Sequence, residues 1–581
     1  MSGIYGVFLK DQQVKSFHRY FSNCEIQNER SINQSINQFL IGRSVIDKLA
    51  NDRFFETRKG ITICFEGVNL SEKISHPDSF FEYYQTWGVE CIKSLKGNFC
   101  GFIVDEQKEE IHIFNDHLAS RNIFYYYDAQ VGFVFSSELK SITKLFRELN
   151  IPLSLDRDAV YMMALYGFIL ENHTYATEVK KLSHSSVISY NYDKNEIKIN
   201  QRFFYKKDKI KISLDQAADT VNILFEKSVQ DLWGKDLEYS DGHLSFLSGG
   251  MDAKANILIA KNLGFKNFTT ITFGQSASSD VKYANSIAVQ ENFNHFQRFL
   301  DYPKYLVEDV MKNYIEPLDG LMMYHSSAHA SSTIRSFNLE KYSLLHTGQL
   351  GDSLFGSFTK PGFNFKQQRH SIGYTGNVID KSLLDKIEML PEFLRKYQDL
   401  NYDLFNIEQR QMNATLNGDR ALNAVIDNVS PFTDLELMEY CLSLPDEFKK
   451  NQILYFKWLS KYHKNVVNYP WENIQMKPNH PLKVKYGKVY KKYFNGAKKY
   501  FHLNYDSMNP YGVWMKKYPF ILQTLDQIFE EEITSSYLDQ ELKSDLRQVY
   551  NQNVFEYRNK YAVITALLAL KLHFKDGCIF D

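Results

Sequence analysis

Two domains of different class are predicted: a β-rich layered domain over residues 1–205, then an α/β domain over 206–581 with a helical C-terminal part. Three observations predict them. Short aromatic and β-branched runs recur through the first part, as in Ile61-Thr62-Ile63-Cys64-Phe65, Ile111-His112-Ile113-Phe114 and Gly132-Phe133-Val134-Phe135. Such runs favour strands. The second part alternates: His243 to Leu247 reads as a strand, Ala253 to Asn262 as a helix stopped by Gly264, and Phe268 to Phe273 as a strand. That βαβ order calls for a parallel sheet. From about Asp380 onward the chain reads mostly helical.

The remaining elements follow from pattern. Ser79 to Trp87 and Asp158 to Leu165 read as helices within the first domain. An amphipathic helix from about Leu214 to Leu232 opens the second. The apolar run from Tyr561 to Leu572 falls short of the roughly 20 residues a bilayer requires and reads as a buried helix. No repeat or low-complexity linker marks the boundary near 205–210.

Composition bounds the function. The chain has 581 residues, 44% of them hydrophobic, and a formal net charge of −1. Nothing global points to nucleic acid or a membrane surface. Six cysteines without a C-x-x-C pair are neither a zinc ribbon nor a disulfide scaffold, and a reducing cytoplasm fits them. The N-terminus lacks a basic segment followed by an apolar stretch, so no signal peptide is expected. Oligomeric state is not legible.

One segment carries chemistry. Leu244-Ser245-Phe246-Leu247-Ser248-Gly249-Gly250-Met251-Asp252 joins a strand to a helix. Gly249 and Gly250 let backbone N–H groups approach an anion, the helix N-terminus adds its dipole, and Ser248 adds a hydroxyl. Asp252 stands where it can hold Mg²⁺ against a pyrophosphate. The arrangement suits ATP whose pyrophosphate leaves as a unit; the plainer reading is a Gly-Gly turn. No Walker loop and no G-x-G-x-x-G occurs. A second strand, Ser343 to Thr347, leads into Gly348-Gln349-Leu350-Gly351-Asp352. Asp352 is a second Mg²⁺ ligand or, more plainly, a helix cap.

These residues resemble the asparagine synthetase superfamily, over nearly the whole chain. Met1-Ser2-Gly3-Ile4-Tyr5-Gly6 is similar to the family's M-C-G-I-x-G, and Phe65-Glu66-Gly67-Val68-Asn69 lies where it has N-G-E-I-Y-N. Leu95 to Phe102, Asp116 to Arg121 and Ser136 to Lys140 resemble L-x-G-x-F-A-F, D-x-x-G-x-[RK] and S-S-E-x-K. Ser248 to Asp252 matches S-G-G-x-D-S with Ala253 for the last serine, and Gly348 to Phe355 resembles G-E-G-x-D-E-x-F. The resemblance implies an α+β N-terminal-nucleophile-type sandwich of class II glutamine amidotransferase type over 1–205. It implies an α/β ATP-pyrophosphatase domain, adenine nucleotide alpha hydrolase-like, over 206–581.

The departures bear on activity. The family's cysteine nucleophile is Ser2 here, its oxyanion-stabilising Asn falls at Glu66, and its amine-holding Glu at Val68. A carboxylate at an oxyanion site repels the developing charge, and loss of one donor costs ~10²–10³ in rate. No glutaminase activity is expected. Members without it, the β-lactam and carbapenam synthetases and lasso peptide cyclases, use an amine of their own substrate. The loop at Gln349, lacking the family's Glu, resembles theirs.

For the second step the resemblance implies an acid at Glu316, with Asp319 as the nearby alternative, and a phosphate-contacting lysine at Lys477; a solvated helix-end acid is the plain reading of Glu316. Lys483, Lys485, Lys488, Lys491 and Lys492 read as surface charge, or as a hold on an acidic partner. His325 and His329, four apart on a helix, read as structural, and Asp280 as a helix start. Three functions are carried forward. The first is an AMP-forming carbon–nitrogen ligase using ATP and Mg²⁺ on a small-molecule or peptide carboxylate, in natural-product or modified-peptide biosynthesis. The second is an ammonia- or glutamine-dependent amidotransferase of asparagine synthetase type. The third is a non-catalytic binding protein.

Overall fold

A computed structural model describes residues 2–10, 12, 14–21, 26–33, 38–202, 208–360, 362–375, 381–398, 402–500, 506–553 and 556–575. The boundary expected at 205/206 lies outside them; on either side, the strand Glu196–Gln201 and the helix Leu214–Asp236 are the nearest elements.

The first half holds two six-stranded sheets whose neighbouring strands pair antiparallel. The strand Gly3–Leu9 runs inside one sheet, paired with Gln38–Val45 on one side and Gly132–Ser136 on the other. Side chains alternate along a strand, and both faces of this one are buried. Ile4 and Phe8 join the cluster between the sheets, with Phe102 and Ile113. Tyr5, Val7 and Leu9 face the helices Leu139–Glu148 and Arg157–Tyr166. The second sheet is covered by the helix Pro77–Trp87 through Phe80, Phe81 and Tyr84. The order of layers is therefore helix, sheet, sheet, helix, which sharpens the expected α+β sandwich.

The second half is built on a five-stranded parallel sheet. Its strands are His243–Phe246, Phe268–Gly274, Asn294–Phe299, Leu344–His346 and Asp427–Val429. From its middle strand, His243–Phe246, the chain moves outward on one side, then returns to fill the other. The helix Leu214–Asp236 starts at a capping box made by Ser213 and Gln216 and buries Val221, Phe225 and Trp233. Helices dominate after Leu390, as expected. The last described helix, Tyr557–Phe574, is buried nearly all round and packs against Arg157–Tyr166 of the first half. No helix among the described residues is long and apolar enough to cross a membrane.

Buried ion pairs tie the halves together. Asp427, on the edge strand of the parallel sheet, pairs with both Arg53 and Arg121 of the first half. Glu66 lies beside the same arginines, 3.1 Å from Arg53 and 3.8 Å from Arg121. Asp319 bonds Arg420 at 2.6 Å and accepts the backbone N–H groups of Leu139 and Lys140. The alternative acid of the sequence reading is therefore an interface residue. Buried Asp236 accepts from His243, His346 and Ser343, an internal network that holds the middle of the sheet.

Candidate active site

The parallel sheet dictates where a site forms. At the point where strand order reverses, the loops after His243–Phe246 and Leu344–His346 part and leave a crevice at the strands' C-terminal ends. Residues 247–250 lead into the helix Met251–Asn262 there, and residues 347–350 into the short helix Gly351–Leu354. A cavity of about 620 Å³ opens between them.

The glycines allow close packing. The Gly249 N–H meets the Asp280 carboxylate, and a Cβ at Gly249 would stand 3.1 Å from that of Glu472. A Cβ at Gly348 would lie 2.6 Å from the Ala253 nitrogen, and one at Gly351 would lie 2.5 Å from Cγ of Asp252. The second loop can therefore rest directly on the first. Ser248 Oγ turns back to accept the Gly250 N–H at 3.1 Å.

That packing brings Asp252 and Asp352 together. Asp252 Oδ1 accepts from Tyr455 Oη at 2.6 Å, and its carboxylate also receives the Asp352 backbone N–H. Burial, then the charge of Asp352, pushes the Asp252 carboxyl well above the usual carboxylate range. Burial raises Asp352 too. Two adjoining half-buried carboxylates at the N-termini of two helices fit a hard divalent cation, which would relieve their repulsion.

More acid lines the same cavity. Burial raises Asp419 to about 7, against hydrogen bonds from the side chains of Gln349 and Asn428. The Gln349 amide donates to Asp419 Oδ1 at 3.1 Å. Glu472 is raised to about 7 by burial and by Asp280, and its Oε2 is buried with no hydrogen-bond partner among the described residues. Burial lowers the Lys254 ammonium to about 8, opposed by Glu472, Asp280 and Asp252. Lys254 itself bonds the Pro470 carbonyl at 2.7 Å. No Lys or Arg is among the described residues lining the cavity.

Of the residues singled out from sequence, Ser248, Gly250, Asp252, Gly348 and Asp352 line the cavity, while Gly249 and Gly351 pack just behind it. Glu316 and Lys477 are not brought to it. Glu316 is half-buried at the domain interface, where its carbonyl accepts Lys140 Nζ at 2.9 Å. Lys477 is exposed. The Trp471 N–H closes on the Met476 carbonyl at 3.0 Å, a tight turn that leaves Glu472 at the cavity wall and Lys477 beyond it. His329 lines the cavity and His325 stacks on Tyr561; burial lowers them to about 4 and about 3, so both are neutral. Asp280 does lie in the first turn of a helix, Ser279–Glu291, but Ser278 is its cap.

Asp419, Glu472, Tyr455 and Lys254 escaped sequence reasoning. Only Glu472 had a signal, its place in the segment quoted for Lys477. Asp419 sits inside a helix, Leu416–Asn423, without a local signature.

The positions corresponding to a glutaminase nucleophile lie elsewhere, at the head of Gly3–Leu9. Ser2 Oγ accepts Arg121 Nη1 at 2.6 Å. Glu66 is fully buried, and burial raises its carboxyl against the two arginines. Val68 is buried in the core between the halves.

Comparison with known proteins agrees with this division. Residues 74–204 match the family described as glutamine amidotransferase domain, and residues 221–463 match asparagine synthase. A protein of Methanocaldococcus jannaschii named "Putative asparagine synthetase (glutamine-hydrolyzing) 2" is 23% identical over 348 residues, 57% of this chain. The chain spans 60% of that relative's length. Two solved structures match over part of the chain. One is the allosteric regulatory enzyme of purine biosynthesis, with TM-score 0.21 and 8% identity over 45% of this chain and 66% of that one. The other is glutamine phosphoribosylpyrophosphate amidotransferase from B. subtilis, with TM-score 0.20 and 10% identity over 45% of this chain and 51% of that one. With both matched domains in the family's order and the paired loops at the switch point, the chain belongs to the asparagine synthetase superfamily.

Proposed function

We propose that the chain activates a carboxylate with ATP and joins it to an amine carried by its substrate. The observation that carries this reading is the contact between the Asp252 and Asp352 loops at the switch point of a parallel sheet. The N-terminus of the helix Met251–Asn262 opens on the cavity, where it would meet the phosphates. Asp252 and Asp352 would hold Mg²⁺, which when bound offsets the charge of the departing pyrophosphate. A carboxylate oxygen attacks the α-phosphorus and pyrophosphate leaves. The amine nitrogen then attacks the acyl carbon, loses a proton and expels AMP. Asp419 is the base in this scheme, oriented by Gln349, in place of Glu316. The acidic walls also favour an incoming ammonium.

Asp419 must be ionised to accept that proton. The rate of acyl transfer is therefore expected to rise with pH through about 7, the value to which burial raises this carboxyl. Asp419→Asn is expected to lower single-turnover amide formation about 10²-fold and to flatten the profile, while adenylation survives. A variant that keeps the wild-type rate and profile removes Asp419 from the scheme.

A second reading keeps glutamine as nitrogen source, favoured by the match of residues 74–204. The surroundings of Ser2 speak against it. Its hydroxyl is held by Arg121, and the group at the oxyanion position is a carboxylate engaged with arginines. Incubation with glutamine is expected to release no glutamate above background, and Ser2→Ala to change nothing. Glutamate release abolished in Ser2→Ala would establish the amidotransferase instead. A non-catalytic protein is the third reading, and failure of Mg·ATP to bind in titration would favour it.

A further inference from the structure

The helix Pro481–Tyr500 has an outer face that the ligase scheme leaves unused. Leu482, Tyr486, Val489 and Tyr493 are 56%, 60%, 50% and 76% exposed. Steps of four, three and four residues put them on one side of a helix. Scattered exposed apolar residues need no explanation, but a heptad row of four does. The opposite side is anchored. Val484 is buried, and Gly487 rests on Ile474 so closely that a Cβ would stand 2.7 Å from that of Ile474. Lys491 Nζ donates to the Glu472 carbonyl at 2.5 Å. Because Glu472 lines the cavity, the helix is tied to the cavity wall, while the row faces outward.

Charge completes the picture. Lysines recur along this helix, and no Asp or Glu occurs between Pro481 and Tyr500. Lys485 lies over the Tyr486 ring at 5.6 Å, at the edge of the row. The chain as a whole carries −1, so this is a local concentration. The cavity beside it is lined by Asp252, Asp352, Asp419 and Glu472 and repels an anionic chain. A carboxylate borne on an acidic chain therefore needs a cationic, apolar hold outside the cavity. We propose that this row docks an acidic amphipathic peptide, and that the activated carboxylate belongs to that peptide. The partner presents apolar side chains at helical spacing, flanked by Asp or Glu. A bilayer recognises similar faces, and vesicles are therefore an arm of the test. The proposal rests on the ligase reading for the fate of the peptide, and on the helix alone for its binding.

The test is a titration of full-length protein against a fluorescein-labelled synthetic peptide with Leu at the same heptad spacing and Glu between, read by anisotropy without ATP. Saturable binding that weakens with salt is expected. Tyr486→Ser/Tyr493→Ser, at exposed positions, is expected to weaken it about tenfold or more, as for loss of aromatic anchors. Lys483→Glu/Lys485→Glu is expected to act in the same direction and to steepen repulsion at low salt. A control peptide with Lys for Glu is expected not to bind. Equal affinity in the variants, equal binding of the basic peptide, or sedimentation with phosphatidylserine vesicles without binding of the acidic peptide would overturn the proposal. Since no ATP is present, its failure leaves the ligase reading intact; conversely, Asp252→Asn is expected to bind the peptide as wild type does even where AMP formation is lost.

Discussion

Replacing Asp252 with Asn is expected to lower carboxylate-dependent AMP formation about 10³-fold, and at the same time to make the protein harder to melt. The first effect follows from losing one of two carboxylates that would hold the metal against the pyrophosphate. A charge-stabilising contact of that kind is worth several kcal/mol, with roughly 1.4 kcal/mol for each factor of ten. The second follows from burial. Asp252 has its carboxyl pushed well above the usual range by desolvation and by Asp352. A raised value means that the fold favours the protonated form. The ionised form therefore costs stability, absent at low pH and growing as pH rises above the ordinary carboxylate value of about 4. Asparagine removes that cost and keeps an oxygen to accept from Tyr455. Melting curves at pH 5 and pH 8 check the sign: the variant's advantage is expected to be larger at pH 8. A merely structural Asp252 predicts the reverse, a variant that melts early.

Asp427→Ala is expected to act oppositely, destabilising the fold by about 3–5 kcal/mol, the cost of leaving buried charge unpaired. Asp427 is the partner of Arg53 and Arg121 across the interface. Burial works to raise its carboxyl, but the two arginines outweigh it and hold the group below the usual range. Its contribution is present above about pH 4 and lost as pH falls below that. The chain has two matched domains, so one two-state melting curve is not assumed. The measurement is the midpoint of the first thermal or urea transition, together with protease sensitivity between the halves. A variant that unfolds with the wild type would show that the interface does not rest on this cluster. Replacing Arg53, Arg121 and Asp427 together by apolar residues is expected to cost less than Asp427→Ala, because no charge is then stranded.

How much of this was legible depended on how local each signal is. The strand, loop and helix from Leu244 through Asn262 follow from contiguous residues, and the structure has them within a residue or two of the expected limits. The buried helix near the C-terminus, Tyr557–Phe574, was equally plain, because an apolar surface all round leaves no other place for it. The fit between Asp252 and the second loop was partly legible, since glycines flanked Asp352. What escaped depends on distant segments. Asp419 meets Gln349 across 70 positions and Arg121 meets Asp427 across 306. No periodicity encodes either contact. Lys477 lies outside the cavity lining for a local reason: the turn closed by Trp471 and Met476 puts Glu472 at the cavity. The interface positions of Glu316 and Asp319 were not legible, because a helix-end acid near a site and one locked at a domain interface read alike in sequence. Ala253 in place of the family's serine is partly accounted for, since its backbone nitrogen lies against Gly348, but nothing in the structure explains the missing hydroxyl.

The most direct test of the central claim is ATP–pyrophosphate exchange in the presence of Mg²⁺, screened over β-amino acids, sugar acids and acidic peptides, with wild type and Asp252→Asn side by side. The account predicts exchange that requires one class of carboxylate and falls about 10³-fold in the variant. Mg·ATP that binds without exchange on any carboxylate, or exchange indifferent to Asp252, would contradict it.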